Sequence, residues 1–378
     1  MAASRPSASP PHLRIAVPVE QFWHRVPGGT ARATRETLQA LQALDGVNIQ
    51  GIAAWHGAGD RARAGTVGPV TYARLPRPAL YEGWLRFRRP RVERLVGPVD
   101  LVWAASMIMA PTVAAPVVAT VHDLGFLDLP ANNSRRGRTF FPRAWEAVRR
   151  RADHVVCPSQ AVADACTERG LDPARVSVVP WGVGPPISSA EAAEAVVARH
   201  TLPSRFVLWV GTIEPRKNLP ILVEAMQQLA DHHLVVVGPD GWNLDGDDLL
   251  APLGARAHRL GHVDDHELSA LYRAATVFAF PSLLEGFGLP VLEALAHGTP
   301  VVTAQGTATE EVAGGGARLI DPHDAAALAS AIEAVETDPA TTARLATVGR
   351  RRAQELTWAN TAARYRDVFA RVAAGDRP

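Results

Sequence analysis

At 378 residues the chain exceeds one ordinary core and fits two domains. With 47% hydrophobic and 20% charged residues it is not a disordered chain, and its two cysteines, Cys157 and Cys166, lack metal-site spacing or a disulfide framework, so a reduced, cytoplasmic setting is expected. The net charge of +1 hides an asymmetry: residues 1–186 hold 23 arginines against 14 acidic residues, the remainder 16 basic against 24 acidic, which points to two domains with different tasks.

Residues 1–11 are Ala-, Ser- and Pro-rich without an apolar core and read as a flexible tail, not a signal peptide. From there short apolar runs alternate with helical stretches, the pattern of parallel α/β sheets. Strands are expected at 14–18, 47–54, 101–104, 117–122, 154–157 and 176–179. Helices are expected at 30–44, 141–151 and 160–169, the last capped by Ser159. The uncharged span 101–121 has the length of a membrane helix, but Pro111 and Pro116 interrupt it, so it reads as two buried strands. Residues 12–186 then make the first domain, and the Pro-, Ser- and Ala-containing segment 187–204 a linker. In the second domain, 205–355, strands are expected at 206–210, 233–237, 259–260, 277–280, 301–303 and 317–320, with helices at 219–230, 265–274, 291–297 and 325–336. A final helix, 357–372, lies within a closing segment 356–378.

Two motifs carry the chemistry. Glu285 and Glu293 bracket Gly286-Phe287-Gly288-Leu289-Pro290, a loop whose glycines let backbone N–H groups face an anion and whose proline opens a helix. Arg216-Lys217 follows the buried run 206–210 and the turn at Gly211, and Lys217 is the only lysine among 39 basic residues. A planar fork beside a point charge at a strand end suits a diphosphate. Gly28-Gly29 and His122-Asp123 also fall just after expected strands. In open parallel sheets ligands collect at the carboxyl ends of strands, so two facing sheets bring all four groups to one cleft.

These four elements, in this order, resemble the retaining glycosyltransferases of the GT4 family over roughly residues 13–372. The resemblance implies the GT-B fold, two Rossmann-like domains facing a central cleft, with the terminal helix crossing back to the first domain. It implies that Arg216 and Lys217 hold the donor diphosphate, and that Glu293 binds the nucleotide ribose, where two carboxylate oxygens suit a vicinal diol. Glu285 would meet hydroxyls of the donor sugar, and His122 would lie beside that sugar. Gly28, Gly29, Gly211 and the backbone of Gly286, Phe287, Gly288 and Leu289 would line the donor, with Val263 near the base. The implied partners are a nucleotide-sugar donor, GDP-mannose first, and a glycan or lipid-linked acceptor, as in bacterial mannosyl- and rhamnosyl-type enzymes of surface polysaccharides. No cofactor and no metal are expected. Competing activities are a nucleotide-sugar epimerase of the same fold and a nucleotide-sugar-binding protein without turnover.

Other readings stay open at single positions. His122 also fits a core histidine with a backbone partner, and Gly28-Gly29 a simple turn after Pro27. Asp245-Gly246-Asp247 has the spacing of metal-binding transferases of another fold, but no strand precedes it and it reads as a polar loop. Arg86-Phe87-Arg88-Arg89-Pro90-Arg91 and Arg149-Arg150-Arg151 fit either a solvated face or contact with an anionic membrane at the inner face. Nucleic acid is not expected, since no binding motif accompanies the charge. A dinucleotide oxidoreductase is disfavoured because no G-x-G-x-x-G follows a strand.

Overall fold

A computed structural model describes residues 12–23, 28–63, 68–128, 137–241 and 243–375. The expected tail at 1–11 and Pro27 lie outside the described residues. Thirteen strands form two wholly parallel sheets. The first, of seven strands, contains β1 (Leu13–Pro18), β2 (Val47–Ala53), β3 (Val70–Tyr72), β4 (Leu101–Ala104), β5 (Val117–Thr120), β6 (His154–Cys157) and β7 (Val176–Val178), ordered β3-β2-β1-β4-β5-β6-β7. The second, of six strands, contains β8 (Val207–Val210), β9 (Leu234–Val237), β10 (Ala257–Gly261), β11 (Val277–Phe280), β12 (Val301–Ala304) and β13 (Ala317–Ile320), ordered β10-β9-β8-β11-β12-β13. Runs such as Val207-Leu208-Trp209-Val210 and Leu234-Val235-Val236-Val237 are apolar throughout because helices cover both faces of each sheet.

Both sheets reverse their strand order at one point, between β1 and β4 and between β8 and β11. A crevice opens there, because the chain leaves the two central strands in opposite directions. Those points place the motifs. Gly28-Gly29 follows β1, Arg216-Lys217 follows β8, and the Glu285 loop follows β11.

The halves join at two crossings of the chain that run parallel and touch side by side, bridged between Val183 and Thr357. Val183 N–H donates to Leu356 O (3.0 Å), and a Cβ on Gly182 would fall 2.1 Å from the backbone of Thr357 and Trp358. No side chain fits there. Gly182→Ala is therefore expected to lower the melting temperature by forcing the crossing apart, at a cost of about 1–3 kcal/mol by the usual scale of overpacking; an unchanged melting curve would contradict the contact. Past the crossing, the Trp358–Ala373 helix returns to the first domain, where Tyr365 and Phe369 pack on Trp103 and Tyr365 Oη lies 3.1 Å from Thr120 Oγ1.

The structure differs from the sequence reading in several places, including unexpected short helices at Ala58–Arg63, Ala308–Ala313 and, where a polar loop was read, Gly246–Leu250. The 187–204 segment holds a helix, Ala190–Arg199, capped by Ser189 and joined to the Asp265–Ala274 helix through Ser188 and Ser269. Pro339–Glu355 forms a long helix that was not expected, its proline sitting harmlessly at the start under an Asp338 cap. Edge strand β3 and the short helices over 77–96 also escaped assignment. The 101–121 span is carried by β4, β5 and their connection, and no helix among the described residues is long and apolar enough to cross a membrane.

Candidate donor site

Beyond β8 the chain makes a 3-10 turn, Pro215–Lys217, and Asn218, in the left-handed region at φ 55°, starts the Leu219–Gln228 helix. Asn218 Nδ2 donates to Pro281 O and Pro322 O, while Leu283 N–H donates to Arg216 O (2.8 Å), stitching the β8 loop to the β11 loop. Gly211 makes room for the Lys217 stem, since a Cβ there would lie 2.8 Å from Lys217 Cδ. The stem ends with Nζ 4.9 Å from the centre of the Phe280 ring.

At the head of these loops two cations and two carboxylates interlock. Lys217 Nζ contacts Glu285 Oε1 (2.8 Å), Arg216 Nη1 contacts Glu285 Oε2 (3.2 Å), and Arg216 Nε contacts Glu214 Oε1 (2.7 Å). Ser282 Oγ donates to Glu285 Oε1 as well. Burial pushes the Glu285 carboxyl up, but the charges of Lys217 and Arg216 outweigh it and hold the group at about 2. At Glu214 burial, helped by the charges of Glu285 and Asp123, outweighs Arg216 and Lys217, and the carboxyl is raised. Both oxygens of Glu285 are thus engaged by the cations, and the carboxylate fixes the positions of Arg216 and Lys217.

Downstream, Gly288 takes φ 106°, and a Cβ there would lie 2.8 Å from Thr309 Cγ2, so only glycine turns the chain into the Leu289–His297 helix. Among the described residues the amides of Gly286, Phe287 and Gly288 serve no hydrogen bond of the turn itself. Glu293 sits buried on that helix. Its Oε2 accepts from Tyr272 Oη (3.0 Å) and its Oε1 meets Arg32 Nη1 of the first domain (2.7 Å). Burial raises Glu293, with Arg32 and the Tyr272 hydrogen bond pulling the other way.

The first domain closes on this loop. A Cβ on Gly286 would fall 1.8 Å from His122 O, so the glycine is what lets the two domains touch. Ser159 Oγ donates to Gly286 O (2.7 Å), and Glu311 accepts from the Gln160 amide at the start of the Gln160–Glu168 helix (2.8 Å). Trp181 bridges the rings of His122 and Phe287. His122 Nε2 lies 2.8 Å from Ala105 O, an acceptor only, so that nitrogen carries the proton and Nδ1 presents a buried lone pair without a partner. Burial lowers the imidazole below its ordinary value, so it is neutral at pH 7.

His154, at the start of β6, is lowered to about 4 by burial and then by Arg371 and Arg175. A depressed pKa means the unfolded chain takes up the proton first. Stability is thus present above pH 6.5 and lost as pH falls toward 4, and melting temperature is expected to decline over that window, less steeply in His154→Asn.

The structure brings together His122, Arg216, Lys217, Glu285, Gly211, Gly286, Phe287, Gly288, Leu289 and Glu293. Gly28 and Gly29 open the Gly29–Gln42 helix facing them, with a Cβ on Gly29 4.0 Å from Leu289 Cδ1 and nothing within 4 Å of one on Gly28. Val263 follows β10 at the same sheet edge, half-buried against the second core. Asp245 caps the Gly246–Leu250 helix and Asp247 pairs with Arg259, so both carboxylates of the Asp-Gly-Asp run have structural partners. Sequence reasoning missed Arg32, Tyr272, Ser282 and Glu311 and read Ser159 only as a helix cap. Only Arg32 carried a signal, as a cation in the first turn of a helix, where it is unfavourable without an anion nearby.

A doubly wound pair of domains, with a cation pair and a carboxylate-bearing loop at the switch point of the second, defines the GT-B class of architecture. Family models agree: "Glycosyltransferase Family 4" matches residues 27–185 and "Glycosyl transferases group 1" matches residues 194–352. The chain is 32% identical over 282 residues to an MMP alpha-(1->4)-mannosyltransferase of Mycolicibacterium hassiacum, covering 68% of this chain and 67% of that one. It is 37% identical over 166 residues to O-antigen chain mannosyltransferase B of Escherichia coli, covering 41% of this chain but only 43% of the relative. Among solved structures, sucrose-phosphate synthase from Thermosynechococcus elongatus superposes with a TM-score of 0.75 over 96% of this chain and 100% of that one, at 24% identity, a likeness of fold. The chain belongs to glycosyltransferase family 4.

Proposed function

We propose that the protein is a retaining glycosyltransferase that moves a hexose, mannose from GDP-mannose first, to a glycan or lipid-linked acceptor without a metal ion or cofactor. The observation that carries this reading is the Arg216–Lys217–Glu285 cluster beneath the unused amides of Gly286 to Gly288. Breaking the bond from the anomeric carbon to the diphosphate oxygen builds negative charge on the leaving group, and fixed donors aimed at it are the largest lever on such a barrier. The ribose diol would displace Arg32 from Glu293, and His122 Nδ1 would accept from a sugar hydroxyl. Glu285 and Glu293 are both engaged by cations and so are not poised to attack the anomeric carbon. Departure and attack then share one face: the carbon–phosphate-oxygen bond breaks, the acceptor oxygen bonds to the same carbon, and the acceptor proton passes to the leaving phosphate oxygen. Mannosyl relatives support the donor choice. The site of action would be the cytoplasmic face of the inner membrane, approached by the Arg-rich first domain.

The test is incubation of GDP-mannose with the enzyme and lipid-linked or free oligosaccharide acceptors, read by mass spectrometry and by NMR of the new anomeric centre. An α-linked product retaining the donor configuration is expected. A glycosyl–enzyme adduct would overturn the single-face mechanism, and isomerised donor without acceptor would make the protein an epimerase.

A further inference from the structure

At the amino ends of β5 and β6, opposite the donor cleft, lies a cavity of about 780 Å³. Met109, Pro111 and Val372 give it an apolar wall, and Arg88, Arg150, Arg151 and Arg175 line it with positive charge. Two aspartates also line it, so its charge balance is four arginines against two carboxylates; Asp153 accepts from the Val117 amide (2.8 Å) and Asp172 from the Ala174 amide (3.0 Å), and neither forms an ion pair with these arginines among the described residues. Arg151 is held by the carbonyls of Trp84 and Leu85, and Arg175 by those of Arg149 and Ala152, so both are positioned by neutral groups and keep their charge uncompensated. Only Arg150 has a carboxylate, Glu146. Arg175 Nε is buried without a partner. Burial and then the charges of Arg88 and Arg150 lower Arg151, the mark of cations crowded together without an anion.

The rim is unusual too. Phe87, next to Arg88, is 66% exposed, and Val113, between cavity residues Thr112 and Ala114, is 60% exposed. The Arg86 guanidinium lies 5.4 Å from the Phe87 ring centre. Apolar side chains standing in water beside a pocket lined by guanidinium groups match the layered chemistry of a bilayer surface, phosphate outside and hydrocarbon beneath.

We infer that this cavity docks the phosphate headgroup of an anionic lipid, with Phe87 and Val113 entering the acyl boundary. The inference deepens the membrane contact proposed above and rests on it. It also constrains the acceptor. Val117 and His122 are separated by five residues of extended chain, roughly 16 Å, so a bilayer at the cavity leaves the cleft open on the far side. That geometry suits the growing end of a long glycan, remote from its lipid, over a sugar attached directly to the headgroup.

The full-length protein is to be sedimented with phosphatidylcholine vesicles with and without phosphatidylglycerol, and melted with inorganic phosphate or GDP. Expected is binding to the phosphatidylglycerol vesicles only. Arg88→Glu, which changes two unit charges at the surface, should lower the partition constant about 30-fold. Phe87→Ser should lower it at least about tenfold. Stabilisation by GDP should be the same in both variants as in the parent. Equal binding to both vesicles, no binding to either, or indifference to Arg88→Glu would overturn the site. Stabilisation by inorganic phosphate, lost in Arg88→Glu and without vesicle binding, would make it a soluble-phosphate site and overturn the lipid claim. Vesicle binding without any response to GDP would leave this site standing and remove the GDP-sugar donor reading instead.

Discussion

Lys217→Met is expected to lower kcat for sugar transfer by about 10²–10³-fold, the usual effect of deleting one donor that stabilises charge developing in a transition state. Methionine keeps the apolar stem that fills the space at Gly211 and lies over Phe280, so it removes the charge and little else. Lys217→Ala removes the stem as well. If the two variants lose the same activity, the ammonium group is responsible; if only alanine is impaired, Lys217 is packing. Glu285 retains Arg216 and Ser282 in either variant, so folding should survive. The affinity for free nucleoside diphosphate should fall by less than kcat, because the leaving group gains charge as the bond breaks and the ground-state diphosphate does not.

Glu285→Gln is expected to be the most destabilising change in the site, by about 3–5 kcal/mol, since it takes the shared carboxylate from buried Lys217 and half-buried Arg216 and leaves them only Glu214 and the more remote Asp123. Its pH dependence has a definite sign. The Glu285 carboxyl is depressed to about 2 from an ordinary 4.5, so its contribution is present above pH 4.5 and is lost as pH falls through 2. Chemical denaturation of parent and variant should therefore diverge at neutral pH and converge below pH 2. A bound diphosphate would resupply the missing negative charge, so nucleotide should stabilise the variant more than the parent. A variant as stable as the parent at pH 7 would show that the cluster is solvated and carries no strain.

Much of the site was legible because its residues are tied to local patterns. Arg216-Lys217 and the Glu285 loop each follow a buried apolar run, and parallel topology obliges those ends to lie together at the strand-order reversal. The glycines were legible for a related reason, though for Gly211 and Gly286 the cause proved to be the Lys217 stem and the His122 carbonyl. Tyr272 and Glu311 were not legible, Ser159 was legible only as a helix cap, and Arg32 only as a first-turn cation without a local anion. Each acts on a partner remote in sequence, and little that is local distinguishes a polar side chain reaching such a partner from one facing water. The helices Ala190–Arg199 and Pro339–Glu355 were missed for the opposite reason. Their flanking Ser and Pro read as breakers, yet a capping Ser189 and a first-turn Pro339 are helix starts. The two thiols of Cys157 and Cys166, nine residues apart, meet at 3.8 Å because β6 and the following helix fold back on each other.

The most direct test of the donor cleft is thermal stabilisation by GDP, UDP and dTDP, with and without EDTA, in the parent and in Lys217→Met. At a ligand concentration about 100-fold above Kd, binding to the native state alone adds about 2.7 kcal/mol of stability, a readily measured shift. One nucleotide stabilising strongly, indifferent to EDTA and much weakened in Lys217→Met, is the predicted result and names the donor base. No stabilisation by any of the three, or stabilisation that EDTA abolishes, would contradict a donor site built on Arg216 and Lys217.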